Sequence, residues 1–259
     1  MHRALKSGGP YEEVATQISK PSFHDIDVKK GDLYYYMVTA TNEIGTSGGS
    51  AELAANASLP GPWLSVDIGA VGVPGYTEYN GQVFSLEGEG NNIDGTSDAF
   101  HFAYAPMSGE GTITARIVRP MSSQWTKPGV MMRESLDADS RHASVLLLAH
   151  WSGALVTRSE KGGATTTGRA KHLGEAHIIK KNRLSTPYWV RLIRFRNRFT
   201  GYMSSDGVDW KELGSVEIPM GKTFYVGLPA CSQLDNVTTT VTYDRVSVPT
   251  WRTPPSKWW

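Results

Sequence analysis

The chain has 259 residues, with 27 glycines, 14 prolines, 10% aromatic residues and a single cysteine. Its 26 basic and 25 acidic residues give a net charge of +1, which offers no general attraction for nucleic acid or for an anionic membrane surface. One cysteine excludes an internal disulfide and a thiolate zinc cluster. No apolar run is long enough for a transmembrane helix, and the N-terminus lacks the apolar core of a signal peptide.

The first 57 residues have the pattern of a small antiparallel sheet. Tyr34, Tyr36 and Val38 fall on one face of a strand by the two-residue period, and a turn begins at Asn42. A last short strand is predicted for residues 50–55. This segment is therefore predicted to be a hairpin from a β-sandwich.

Several stretches in this segment resemble the second half of a fibronectin type III domain: residues 7–11, 23–27, 31–42 and 45–47. The resemblance would place Tyr34 at the tyrosine corner and Asn42 in the turn before the last strand. The first two strands of such a domain have no counterpart before Met1, so the resemblance implies an incomplete sandwich. We expect the incomplete sheet to dock on the second domain or on a second chain, which includes self-association.

A linker is predicted at residues 58–62, because two prolines and a glycine interrupt both sheets and helices there. The main domain then covers residues 63–248. Its many turn signals separate roughly a dozen strand-like segments, which favours an all-β, two-sheet jelly roll. Residues 249–259 form a proline-rich tail that we expect to pack across a surface without forming a strand, with at least one of its tryptophans covered.

The main domain resembles the concanavalin A-like β-sandwich module called regulation-of-enolase-like. The resemblance is carried by six stretches, residues 62–69, 94–102, 108–113, 127–135, 142–143 and 204–210. This module is similar to the C-terminal sandwiches of certain xylosidases and often accompanies fibronectin type III domains. The resemblance implies a region of a larger secreted bacterial protein that processes glycans, and it supplies no catalytic residues.

Polysaccharide or oligosaccharide is accordingly the expected partner, because an aromatic ring can cover the C–H face of a sugar while charged side chains bind its hydroxyls. The candidate ligand contacts are His101, Trp125, Arg133, Glu134, His142, His150, Trp151 and Arg158. In an extended strand Arg133 and Glu134 point to opposite faces, so both cannot line one surface. A buried arginine would need a carboxylate, for which Glu134, Asp98 and Glu160 are candidates. Ligand binding and an internal ion pair therefore both remain open.

A structural calcium is a further hypothesis, because hard oxygen ligands recur along the main domain. The candidate metal ligands are Asp67, Asn92, Asp94, Asp98 and Asp244. The spacing from Asn92 to Asp98 matches a calcium loop only loosely, since no glutamate follows at the EF-hand position. A solvated turn is the alternative interpretation.

Catalysis is the third hypothesis. Glycoside hydrolysis needs two carboxylates across a cleft, and Glu134 and Glu160 are the weak candidates. The Glu-x-Asp-x-x-Glu signature of sandwich-fold glucanases and the Gly-x-Ser-x-Gly elbow are both absent. The sequence therefore favours a noncatalytic carbohydrate-binding accessory region. A glycoside hydrolase and a structural spacer are the two alternatives.

Overall fold

A computed structural model shows two compact units, Met1–Pro60 and Gly61–Trp259. The predicted contacts His150 and Trp151, and the tail beyond Trp251, lie outside the described residues. Within the residues that the structure describes, no helix is long and apolar enough to cross a membrane. The structure describes residues 1–19, 23, 25, 27–29, 32–56, 59–118, 125–148, 152–169 and 187–251.

The first unit contains two small antiparallel sheets. One has the strand order β2-β1-β3-β6 and the other is the hairpin β4-β5. Their bounds are β1 (His2–Ala4), β2 (Glu12–Glu13), β3 (Leu33–Met37), β4 (Thr41–Asn42), β5 (Gly45–Thr46) and β6 (Leu53–Asn56). Tyr34 is buried, and its hydroxyl accepts a hydrogen bond from the backbone N–H of Lys29 at 2.8 Å. Assignment of this unit to a fibronectin type III domain, and its docking, stay predictions.

The second unit is built from fifteen strands among its described residues. They are β7 (Leu64–Ile68), β8 (Tyr76–Tyr79), β9 (Val83–Gly88), β10 (Phe100–Ser108), β11 (Glu110–Ile117), β12 (Gly129–Arg133), β13 (His142–Leu148), β14 (Ser152–Arg158), β15 (Thr166–Arg169), β16 (Tyr188–Phe195), β17 (Arg198–Ser204), β18 (Lys211–Glu217), β19 (Thr223–Ala230), β20 (Thr239–Ser247) and β21 (Thr250–Trp251).

These strands form two antiparallel sheets that pack face to face. The first sheet has the order β15-β14-β13-β12-β19-β10-β7, and the second has the order β18-β17-β16-β11-β20-β9-β8. The expected all-β, two-sheet jelly-roll sandwich is therefore confirmed. One local expectation was wrong: the start of the tail is a strand, because β21 pairs with β11 through Glu110 and Gly111.

The core between the sheets follows from the two-residue period of the strands. Tyr243 on β20 is fully buried and reaches across to the first sheet. Its hydroxyl donates a hydrogen bond to the Pro229 carbonyl at 2.6 Å and accepts one from the Gly129 N–H at 3.0 Å. One side chain of the second sheet therefore fixes the backbones of β12 and β19 in the first sheet.

The hairpin between β17 and β18 explains the Ser204-to-Trp210 stretch that the sequence singled out. The Ser204 hydroxyl accepts the N–H of Gly207 at 2.9 Å, and the Trp210 indole N–H donates to the Gly207 carbonyl at 3.1 Å. Trp210 then lies under the guanidinium of Arg191, 3.7 Å from its ring centre. These contacts make the stretch a self-supporting turn.

We expect Tyr243→Phe to destabilise the sandwich by about 1–3 kcal/mol, because it leaves a buried N–H without a partner. Urea unfolding measures this change. Tyr76→Phe is the matched control, because Tyr76 is exposed and its loss of a hydroxyl should matter little. Equal midpoints for Tyr243→Phe and the wild type would contradict the bridging role.

Candidate functional site

The outer face of the first sheet, which points away from the second sheet, carries a row of aromatic rings. Phe100, Phe102 and Tyr104 alternate along β10 and share this face. Neighbouring ring centres lie 5.6 and 5.7 Å apart, and Tyr225 on β19 extends the row at 5.3 Å from Tyr104. Such a face has the composition expected of a sugar-binding surface.

The aromatic face is nevertheless filled by the protein itself. Phe100, Phe102 and Tyr104 are completely buried. They form one apolar cluster with Ile93, from the segment after β9, and partly buried Leu136, from the loop after β12, packs against it. A second apolar core therefore lies on the outside of this sheet.

Strong curvature of the sheet closes this second core. The strand register places Arg133 level with Tyr225 and Pro106, six residues along β10 from Phe100. In a flat sheet this offset is about 20 Å. The Arg133 guanidinium nevertheless lies only 5.3 Å from the centre of the Phe100 ring. The sheet therefore curls so that distant parts of its outer face approach each other.

A buried ion pair stabilises this curved arrangement. Both carboxylate oxygens of Asp98 accept hydrogen bonds from Arg158, at 2.7 and 2.9 Å, and Arg133 lies 3.5 Å from the same carboxylate. All three side chains are fully buried. The two arginines that were candidate ligand contacts therefore lie in an internal ion pair, with Asp98 as the carboxylate.

Arg158 also joins the loops around it. Its guanidinium donates to the carbonyls of Ala138, Ser140 and Gly163 at 3.1–3.2 Å. The guanidinium also donates to the Thr165 hydroxyl at 3.0 Å. With the bond to Asp98, in the segment between β9 and β10, one side chain therefore holds three separate loops.

His142 lies directly between the two arginines in the strand register. Its Nδ1 is 3.0 Å from the Ser144 hydroxyl, whereas its fully buried Nε2 has no hydrogen-bond partner. Burial, reinforced by the positive charges of Arg133 and Arg158, lowers the pKa of His142 well below 6.5. The ring is therefore neutral in the folded protein and shielded from solvent.

His101 faces the opposite way, into the core between the sheets. Its Nδ1 lies 2.7 Å from an Asp67 oxygen and its Nε2 lies 2.9 Å from the Thr77 hydroxyl. The order carboxylate, imidazole, hydroxyl resembles a hydrolase triad, but here it joins strands of the two sheets and the ring is 2% exposed. The structure does not bring His101 to Arg133, and both ring nitrogens are already occupied.

An open pocket of about 300 Å³ lies where β10, β12 and β19 end side by side. The antiparallel register sets Pro106 against Tyr225 and Ser108 against Thr223, which brings residues distant in sequence to one place. The pocket is lined by Pro106, Met107, Ser108, Glu134, Thr223, Phe224 and Tyr225. Of the candidate contacts within the described residues, Glu134 is the one that lines it.

Glu134 is held in place but keeps acceptor capacity. One carboxylate oxygen accepts the Gly221 N–H at 2.8 Å, and the other accepts from Arg141 at 3.1 Å. Each oxygen can accept a further hydrogen bond, and the side chain is 29% exposed. The pocket therefore combines a fixed carboxylate, the Ser108 and Thr223 hydroxyls, and the Tyr225 ring.

Trp125 lies beyond the other end of β12 and is 43% exposed. One polar atom of the Gln233 side-chain amide lies 2.8 Å from the Trp125 carbonyl oxygen, and the other lies 2.7 Å from Asn92 Oδ1. The same Asn92 oxygen accepts from the Lys127 ammonium at 2.6 Å. Trp125 thus adjoins a polar cluster that is separate from the pocket.

The proposed metal ligands are not brought together. Asp67 bonds His101, Asp98 is paired with arginines, and Asp244 forms an ion pair with Arg116 in the second sheet. Asn92 bonds Lys127, and Asp94 accepts the N–H of Gly95 at 2.8 Å. Within the described parts of the chain, no group of three or more histidine, cysteine or acidic side chains could hold a metal. A structural calcium stays a prediction.

The other catalytic candidate, Glu160, is exposed in the turn after β14 and does not line the pocket. Sequence reasoning missed Ser108, Thr223 and Tyr225. Tyr225 lies in the mostly apolar strand β19, and its outward direction becomes informative only when the neighbours of β19 are known.

No family model and no curated protein matches the sequence. Its structure is similar to a functionally unknown protein from Saccharomyces cerevisiae, with 17% identity and a TM-score of 0.53 over 72% of this chain and 94% of that one. A GH43 protein from Bacillus licheniformis gives 12% identity and a TM-score of 0.48 over 96% of this chain, which spans 59% of that protein. The carbohydrate-binding module CBM66 from Bacillus subtilis gives 16% identity and a TM-score of 0.42 over 73% of this chain and 95% of that one. The likeness to the yeast protein, with its TM-score of 0.53, shows a shared fold.

We expect Asp98→Asn to destabilise the second unit by about 3–5 kcal/mol, because it leaves two buried guanidinium groups without their counter-charge. Chemical unfolding measures the loss. Asp137→Asn is the matched control, since its partner Lys161 is exposed and the pair is at the surface. Similar losses of unfolding free energy for both variants would contradict the stabilising role of the buried Asp98 ion pair.

The neutral, buried state of His142 predicts a pH dependence. The unfolded chain takes up a proton near pH 6.5 that the folded chain does not, so stability present above this pH is lost as the pH falls. Between pH 6.5 and about pH 5 the loss should be about 2 kcal/mol. Urea unfolding across this range should show that the loss is missing in His142→Gln. Parallel curves for the two proteins would contradict the prediction.

Proposed function

We propose that the second unit is a noncatalytic carbohydrate-binding module and that the pocket at Glu134 and Tyr225 holds a sugar. The observation that carries this proposal is the content of the pocket. A ring can pack against the C–H face of a sugar, while a fixed carboxylate and two hydroxyls bind its rim. Ligand sites commonly combine an apolar wall with a few fixed polar groups.

The number of carboxylates supports binding over hydrolysis. Glycoside hydrolysis uses two carboxylates about 5–10 Å apart. Among the residues described around this pocket, Glu134 is the only acidic one. Asp98 is buried in its ion pair and does not line the pocket. A single fixed carboxylate suits recognition of hydroxyl groups.

The pocket also favours a binding module over a structural spacer, for which no such constellation is required. The polar and aromatic groups of the pocket meet at the ends of three adjacent strands. Strand ends on a rigid sheet hold side chains in a fixed geometry, which limits the entropy lost on binding. A secreted parent protein and the identity of the glycan stay predictions.

We expect Glu134→Gln to weaken carbohydrate binding about 10- to 100-fold, because it replaces charge-assisted hydrogen bonds by weaker neutral ones. Gel retardation by xylan, laminarin, levan and pectin measures binding. The glutamine can still accept the Gly221 N–H, so the fold should be retained. Glu217→Gln, on exposed β18, is the matched control.

Sugar release from the same polysaccharides separates the two functions. Retardation without release, sensitive to Glu134→Gln but not to Glu217→Gln, would support the binding module. Release that persists through repurification and disappears in Glu134→Gln would instead establish a hydrolase. Unchanged retardation in Glu134→Gln would exclude this pocket as the binding site.

A further inference from the structure

A second surface with the chemistry of a sugar site lies at the opposite end of β12 from the pocket. Its centre is the exposed ring of Trp125. The side chains of Leu234 and Val237, in the segment after β19, are also exposed. Large apolar side chains therefore face solvent on two chain segments, and the Gln233 side chain of one segment contacts the Trp125 backbone of the other.

The polar groups beside Trp125 are held rigidly. The Lys127 ammonium, on a nearly buried side chain, donates to Asn92 Oδ1 and to the Ile93 carbonyl at 3.3 Å. Gln233 is fixed through its backbone N–H, which donates to the Gly90 carbonyl at 3.0 Å. The amides of Asn92 and Gln233 thus have fixed positions next to an exposed indole, and such preorganisation lowers the cost of binding.

We propose that Trp125, Asn92 and Gln233 form a second sugar-binding surface, which takes a neutral sugar unit of the same polysaccharide that occupies the pocket. The indole covers the C–H face of that unit, and the two amides bind its hydroxyls. The ligand is neutral because the Lys127 charge is directed at Asn92 and Ile93. This inference rests on the proposed function of the pocket and assigns it a partner site.

The two surfaces are held apart by a rigid element. Trp125 and Glu134 are nine residues apart along the chain, so their backbones are separated by at most about 30 Å. The outer face between them is filled, so a bound chain must run over the surface from one site to the other. Once the polysaccharide is bound at the first site, its binding at the second site is an intramolecular step. For a polysaccharide long enough to reach both sites, the affinity should therefore be about 100-fold higher than for one site alone.

Calorimetry on the full chain with xylo- and laminari-oligosaccharides of graded length tests this proposal. We expect a sharp rise in affinity at the length that first reaches both surfaces. Trp125→Ala should remove this rise, which amounts to about 100-fold, and its effect should grow with chain length. Tyr76→Ala is the matched control, because Tyr76 is an exposed aromatic residue on the second sheet. Thermal midpoints verify that each variant is folded.

The outcomes separate this inference from the proposed function. If Glu134→Gln weakens binding at all lengths while Trp125→Ala has no effect, the second surface is wrong and the pocket stands. If Trp125→Ala abolishes binding and Glu134→Gln does not, the pocket assignment and the paired arrangement are both wrong. Absence of binding by every oligosaccharide, together with no gel retardation by any of the four polysaccharides, would overturn both.

Discussion

The ion pair between Asp98 and Arg158 determines what the outer face of the first sheet can do. Two charges without access to water are tolerated only when hydrogen bonds satisfy their remaining donors and acceptors. Arg158 meets this condition with carbonyls from two loops, so the pair holds these loops over the aromatic face. The face that would be an open ligand groove is thereby part of the interior.

The closure leaves the ends of the sheet as the accessible places. At one end the pocket holds Glu134 between the Gly221 N–H and Arg141, with Tyr225 beside it. At the other end Trp125 stands beside fixed amides. Neither of these described surfaces shows the facing pair of acids that glycoside hydrolysis requires, which supports the proposal of a binding role.

The fold could be predicted because alternation and turns are local signals. The opposite directions of Arg133 and Glu134 could also be predicted, and in the structure one is in the ion pair and the other is in the pocket. The direction of the His101 side chain could not be predicted, because the run from Phe100 to Tyr104 is buried on both faces. A run buried on both sides has no polar face to indicate its orientation.

The pocket could not be predicted for a different reason. Its walls come from strands that are distant in sequence, and only their register brings Ser108, Thr223 and Glu134 together. The choice of Asp98 as the partner of Arg158 likewise depends on the curvature of the sheet. Such long-range geometry leaves no trace in the spacing of residues along the chain.

The filling of the outer face has a mechanical consequence. The first sheet is packed on both sides, so it is the middle layer of three and has little freedom to bend. Strand β12, which lies between the two candidate surfaces, therefore keeps the distance between them constant. A polymer that contacts both ends must match that length with its own repeat, so selectivity would depend on the periodicity of the chain as well as on the identity of each sugar.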